Sequence, residues 1–122
     1  MEINGKAKLL RIHISNTDKF RDNLLYEMLV FAAKRYGIAG ATVTRGIMGF
    51  GSSSKIYSEN FWELSEKLPV VVELIDETEK IDQFTERILP WLQKLKTGCL
   101  ITSDVVTLVH HQKGEKRGFF QW

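Results

Sequence analysis

The stretch Ala41-Thr-Val-Thr-Arg-Gly-Ile-Met-Gly-Phe-Gly-Ser-Ser-Ser-Lys55 begins as a strand and ends as a loop of glycine and serine. Residues 41–50 mix β-branched and apolar side chains in the way of a buried strand. Gly46, Gly49 and Gly51 are poor strand formers, tolerated where backbone bends or where something approaches closely. Pattern and propensity therefore disagree here, and such disagreement marks a site where function competes with folding.

Working outward, residues 6–14 alternate, with Leu10, Ile12 and Ile14 on one side and Leu9, Arg11 and His13 on the other, the period of a strand. Ser15, Asn16, Thr17 and Asp18 offer N-cap oxygens for a helix whose apolar positions are Phe20, Leu24, Met28, Phe31 or Ala32, and Tyr36, ended by Gly37. Beyond the central stretch, residues 58–66 suit a short helical turn anchored by Phe61, Trp62 and Leu64, and residues 68–75 a third strand with Pro69 at its start. Asp76, Glu77 and Glu79 place negative charge at the start of a second helix, with Thr78 as its cap. Its stripe is Ile81, Phe84, Ile88, Leu92 and Leu95, Pro90 should kink or restart it, and Thr97 and Gly98 close it. Residues 105–111 read as a fourth strand.

The order strand, helix, strand, strand, helix, strand is the split βαβ arrangement of a ferredoxin-like α+β fold, here one domain over residues 1–112 followed by a basic and aromatic tail over 113–122. Two helices cover one face of the sheet. The other face is expected to carry Leu9, Arg11 and His13, then Val71, Glu73 and Ile75, then Val105, Thr107 and Val109 or their neighbours. That mixture is too apolar to leave wet as one patch. A closed homo-oligomer is the expected cover, with Arg11 and Glu73 fixing its register.

Composition narrows the classes. A chain of 122 residues buries roughly two-thirds of its unfolded surface. Its 43% apolar and 26% charged content is ordinary for a globular domain, and a net charge of +2 gives no electrostatic footprint for nucleic acid. No apolar run approaches the roughly 18 residues of a membrane span, and the first residues lack a signal-peptide pattern. The single Cys99 forms no internal disulfide. A cytoplasmic location is expected.

Gly46, Gly49 and Gly51 with Ser52, Ser53, Ser54 and Lys55 have the chemistry to cradle phosphates through backbone N–H groups and a lysine charge. The spacing is neither a P-loop nor a dinucleotide fingerprint, and a flexible bulged loop is the plainer reading. Arg45 shares a strand face with Val43 and Ile47 and needs either an acidic partner across a subunit boundary or an anionic ligand. Adjacent His110 and His111 on a strand point to opposite faces and cannot chelate one ion together within a chain, so a metal site needs an oligomer axis or help from carboxylates. Cys99 has neither a CxxC partner nor a histidine in register, and the basic and aromatic residues at 116–122 read as a terminus before a membrane or partner contact. No set of residues forms a nucleophile with its base.

Residues 40–51, Gly-Ala-Thr-Val-Thr-Arg-Gly-Ile-Met-Gly-Phe-Gly, with Leu-Pro-Val-Val-Val-Glu-Leu-Ile-Asp at 68–76 and Gly98 ahead of the last strand, resemble the bacterial PII-like proteins grouped as domain of unknown function 190. The resemblance spans about the first 110 residues. It implies a ferredoxin-like homotrimer related to PII signalling proteins and to the CutA group, with an adenine nucleotide as the small anionic ligand in clefts between subunits. It also implies a long loop, residues 49–67 here, that changes shape with the ligand and docks on a transporter or enzyme. By position, the resemblance implies a second ligand segment over residues 96–100 with Thr97 and Gly98; together with Arg45, Gly46, Gly49, Gly51 and Lys55 from the reading of the central stretch, these are the expected ligand-binding residues, with no catalytic set and no metal. Thr97 and Gly98 match the threonine and glycine that open PII's phosphate-side loop, but Cys99, Leu100, Ile101, Thr102 and Ser103 replace its glycine-rich, lysine-containing continuation. Tyr57 lies in the long loop in a context unlike PII's modified tyrosine. A CutA-like metal-responsive trimer and a small oligomeric enzyme are the alternatives. No nucleic-acid partner is expected.

Overall fold

The computed structural model describes residues 5–51, 57–58 and 67–115. Four strands, β1 (Lys6–Ser15), β4 (Gly40–Arg45), β7 (Pro69–Asp76) and β8 (Leu100–Thr107), form an antiparallel sheet in the order β4-β7-β1-β8. Helices α1 (Leu25–Tyr36) and α2 (Thr78–Gln93) cover one face. Two small ladders stand outside the sheet, β2 (Lys19–Phe20) with β3 (Asn23–Leu24), and β5 (Met48–Gly49) with β6 (Tyr57–Ser58). This is the expected ferredoxin-like arrangement.

The core follows from the alternation. Leu10, Ile12 and Ile14 of β1 and Val70, Val72 and Leu74 of β7 are buried against Ile81, Phe84, Ile88 and Leu92 of α2, four of the five stripe positions expected for that helix; Leu95 lies past its end and is only partly buried. Helix α1 corrects the sequence reading. It begins at Leu25, and its buried positions are Leu25, Leu29 and Ala33, leaving Phe31 65% exposed. The side-chain oxygens of residues 15–18 do not cap the helix: Ser15 N donates to Asp18 Oδ2 at 2.9 Å and Asp18 N to Ser15 O at 3.2 Å, closing a turn, while Asn16 Oδ1 accepts from Leu68 N and the backbone O of Asp18 from Leu25 N at 2.8 Å. A helix apolar on several sides gives two stripes of equal spacing, and only docking chooses between them. Gly37 does end it: at φ 90° it donates to Ala33 O and Lys34 O, while Ile38 N reaches Ala33 O.

Between β1 and α1, where a helical turn was expected, the β2–β3 hairpin turns on Arg21 and Asp22 at φ 51° and 69°. Two consecutive residues with positive φ make the primed turn that two-residue hairpins require. Helix α2 runs through Pro90 without restarting and ends soon after it. The last strand lies earlier than expected, because pairing with β1 from Lys6↔Thr107 to His13↔Leu100 fixes it. His110 and His111 therefore lie past the strand, exposed, with His110 Nε2 at 3.1 Å from Gln112 Oε1. The expected turn over residues 58–66 falls almost wholly outside the described residues.

Register also revises the helix-free face. Thr42↔Glu73, Arg11↔Glu73 and Arg11↔Thr102 place Thr42, Glu73, Arg11 and Thr102 together on it, with Asp104 opposite Leu9. Val105 and Thr107, expected there, share the side of Lys8 and Lys6. Arg11 finds its partners within the chain: Nε donates to Glu73 Oε2 and Nη1 to Asp104 Oδ2, both at 2.9 Å. These two carboxylates raise the Arg11 pKa further above its ordinary value.

A polar clamp ties the sheet's ends to the helices. Asp76, the last residue of β7, is fully buried. Its Oδ2 accepts from Ala39 N at 2.9 Å and its Oδ1 from Glu77 N at 2.6 Å, with Lys80 Nζ at 3.8 Å. The acidic start of α2 is thus more than dipole complementation: one carboxylate joins the α1–β4 turn to the β7–α2 junction.

Candidate functional site

The central stretch leaves the sheet at Gly46. Its N–H donates to Pro69 O at 2.7 Å, and a Cβ there would stand 2.9 Å from Pro69 Cγ. Only glycine lets the chain pass so close to the proline ring. The backbone then forms β5, whose two residues pair with β6 at Met48↔Ser58 and Gly49↔Tyr57. Within residues 49–67, expected as one long loop, Gly49 and the described residues 57–58 thus belong to a short two-stranded stem. Ile47, Met48 and Phe50 at its base are exposed by 77%, 57% and 71%.

Beside this stem lies a cleft of about 290 Å³ between the end of β1, the start of β7 and the turn after α2. Gly46, Gly49 and Gly51 line it together with Thr97 and Gly98, so two segments about fifty residues apart in sequence meet at one place. His13, Ser15 and Asp18 add polar groups, and Pro69, Val70 and Phe50 an apolar wall. This mixture of apolar wall, backbone and few polar side chains suits a small ligand. Ser15, Asp18 and Pro69 were not marked as site residues from sequence, because their places depend on the turn that follows β1 and on the β1–β7 register. That register is locked at its end by Asn16 N donating to Leu68 O at 3.0 Å and Leu68 N to Asn16 Oδ1 at 2.9 Å.

Arg45, paired in register with Val70 on the side of Val43, is engaged with a partner and is not part of the cleft's lining. Lys55 lies outside the described residues. Cys99, next to Gly98, is half-buried, and burial first, then the nearby Asp18 charge, push its thiol pKa up. Among the described residues no three His, Cys, Asp or Glu side chains gather to hold a metal ion, and no helix is long and apolar enough to cross a membrane.

Residues 7–108 match the DUF190 family, described as an uncharacterized ACR, COG1993. The chain belongs to that family. Among DUF190 relatives, a UPF0166 protein of Aquifex aeolicus (strain VF5) is 42% identical over 105 residues, covering 86% of this chain and 95% of the relative. The UPF0166 protein MJ1524 of Methanocaldococcus jannaschii is 39% identical over 111 residues, covering 90% and 95%. Among solved structures, a PII-like signalling protein from Thermus thermophilus superposes with a TM-score of 0.62 at 21% identity, covering 86% of this chain and 91% of that one. CPII from Thiomonas intermedia K12, a nitrogen regulatory PII-like protein bound to ADP, AMP and bicarbonate, superposes with a TM-score of 0.57 at 17% identity, covering 83% and 88%. At these identities the likeness establishes a PII-like fold for this DUF190 chain.

Proposed function

We propose that the chain is a PII-like regulatory protein whose cleft binds an adenine nucleotide and passes its occupancy to residues 49–67. The observation that carries this reading is the meeting of Gly46, Gly49 and Gly51 with Thr97 and Gly98 beside the β5–β6 stem. A ligand seated there touches the base of the loop directly. A ligand that prefers one loop arrangement is all that a switch requires. That CPII, of the same fold, holds ADP and AMP supports an adenine nucleotide as the effector.

The working form is a homotrimer, with the helix-free face packed on copies of itself. Arg11, Glu73 and Asp104 lie on that face already paired, so Leu9, Val71, Ile75 and Leu100 can be covered without stranding a charge. The exposed Ile47, Met48 and Phe50 give residues 49–67 an apolar edge for a transporter or enzyme partner. Residues 1–112 form the regulatory domain and 113–122 a tail outside it.

Titration calorimetry with ATP, ADP, AMP and cyclic AMP tests the effector. Saturable binding by at least one, weakened at least tenfold by Gly46→Ala, is expected. Silence of all four at millimolar concentration overturns the nucleotide reading.

A further inference from the structure

A second depression, about 890 Å³, opens from the cleft and shares Ser15, Asp18 and Thr97 with it. Its lining is strongly cationic: Lys19 and Arg21 from the β2–β3 hairpin, Lys67 ahead of β7, and Lys94 and Lys96 after α2. All five are exposed. Among the described residues none of the four lysines has an ion-pair partner, and Arg21 lies only over the Phe20 ring at 5.3 Å. The single carboxylate in the lining, Asp18, is buried and already accepts from Ser15 N.

Five positive charges and one occupied carboxylate meet on a chain whose net charge is only +2, so the charge is segregated, not spread. Lys94 and Lys96 alone would be explained by the carbonyl end of α2. Lys19, Arg21 and Lys67 come from other elements and have no such reason to converge. The hairpin that brings two of them depends on left-handed backbone at two residues with side chains, a conformation unfavourable unless the surroundings hold it.

We propose that this groove is a phosphate-chain site, holding the two or three phosphates of a ligand whose uncharged end occupies the cleft. For the uncharged end it rests on the functional reading above; the phosphate half stands on the charges themselves. It answers a chemical gap. The turn after Thr97 and Gly98 runs through Cys99 directly into β8 at Leu100, without glycine-rich backbone or a lysine to receive phosphates, so these five cations supply the charge from the other side. The ligand class is then a nucleoside di- or triphosphate, favoured over the monophosphate.

The test is calorimetry on the full chain at low salt with four probes, adenosine, AMP, ATP and inorganic tripolyphosphate. It uses the wild type and two variants on separate elements, Lys94→Gln with Lys96→Gln and Lys19→Gln with Arg21→Gln. Because the side chains are exposed, unchanged thermal midpoints are expected of both variants. Wild type should bind tripolyphosphate, and affinity should climb from AMP to ATP. Each double variant should lose roughly tenfold for ATP and tripolyphosphate, as expected for removing two exposed charge contacts, and little for adenosine. Wild type that ignores tripolyphosphate, or variants that bind it as well as wild type does, overturn the proposal. Binding of tripolyphosphate without any adenine compound supports the groove and removes the nucleotide reading. Adenine binding indifferent to phosphate number and to the lysines does the reverse.

Discussion

Replacing Asp76 should cost more stability than any other single carboxylate among the described residues. The side chain has no exposure, and each oxygen accepts a backbone N–H, from Ala39 at 2.9 Å and from Glu77 at 2.6 Å. Hydrogen bonds to a charged group contribute about 1.5–3 kcal/mol each. Both donor residues are themselves solvent-exposed, so water entering the space left by Asp76→Ala recovers part of the loss. The expected cost is about 3 kcal/mol, on the order of 10 °C in melting temperature for a domain of this size. Asp76→Asn keeps the shape and one acceptor oxygen, so about half that cost is expected. Asp82 provides the comparison: its ion pair with Lys8 is short, 2.6 Å, yet its side chain is 54% exposed, so Asp82→Ala should cost under about 0.5 kcal/mol. Urea denaturation followed by circular dichroism separates the three. A loss below about 1 kcal/mol for Asp76→Ala, with an unchanged denaturant slope, would refute the idea that this carboxylate clamps two chain junctions.

The glycines of the cleft should behave unequally. Gly46→Ala forces a Cβ to 2.9 Å from Pro69 Cγ, a ring that cannot swing aside, and is expected to cost about 1–3 kcal/mol by overpacking, whereas Gly51→Ala meets nothing within 4 Å and should be close to neutral in thermal melts. Arg11→Glu sets a third carboxylate beside Glu73 and Asp104; sedimentation velocity should show the proposed trimer dissociating to monomer, and an unchanged coefficient would count against that interface. Cys99 should react slowly with iodoacetamide at pH 8 compared with free cysteine, and faster in urea, because burial holds the thiol protonated. Since the folded pKa lies above the unfolded one, the unfolded chain loses this proton first. Stability is therefore expected to fall as pH rises past about 9, and Cys99→Ala should flatten that fall in pH-dependent unfolding.

Alternation in β1 and β7 made the sheet legible from sequence, and the stripe of α2 was correct from Ile81 to Leu92, because a buried face of fixed period leaves few choices; only Leu95 falls past the helix end at Gln93. Helix α1 was displaced because Met28, Phe31 and Ala32 imitate Leu25, Leu29 and Ala33 at the same spacing. The β2–β3 hairpin left no such trace, since Arg21 and Asp22 stand where a glycine would usually announce the turn. At the end of the sheet, Val105, Val106 and Val109 drew the last strand too far toward the C-terminus; pairing with β1 decides its place, and pairing is not a local property. Glycine punctuation marked the loop side of the cleft, and Gly98 the turn opposite. His13, Ser15 and Pro69 join them through long-range register alone, and the five cations of the neighbouring groove are scattered over the sequence from Lys19 to Lys96.

The passage of Gly46 against Pro69 has a mechanical corollary. Two paired residues make too small a ladder to hold its own bearing, so the β5–β6 stem takes its direction from the fulcrum beneath it. Gly46, Gly49 and Pro69 all face the space that a visiting molecule would fill. On the regulatory reading proposed above, a guest in that space would press on the fulcrum and the stem at once, with no relay needed through the interior of the protein.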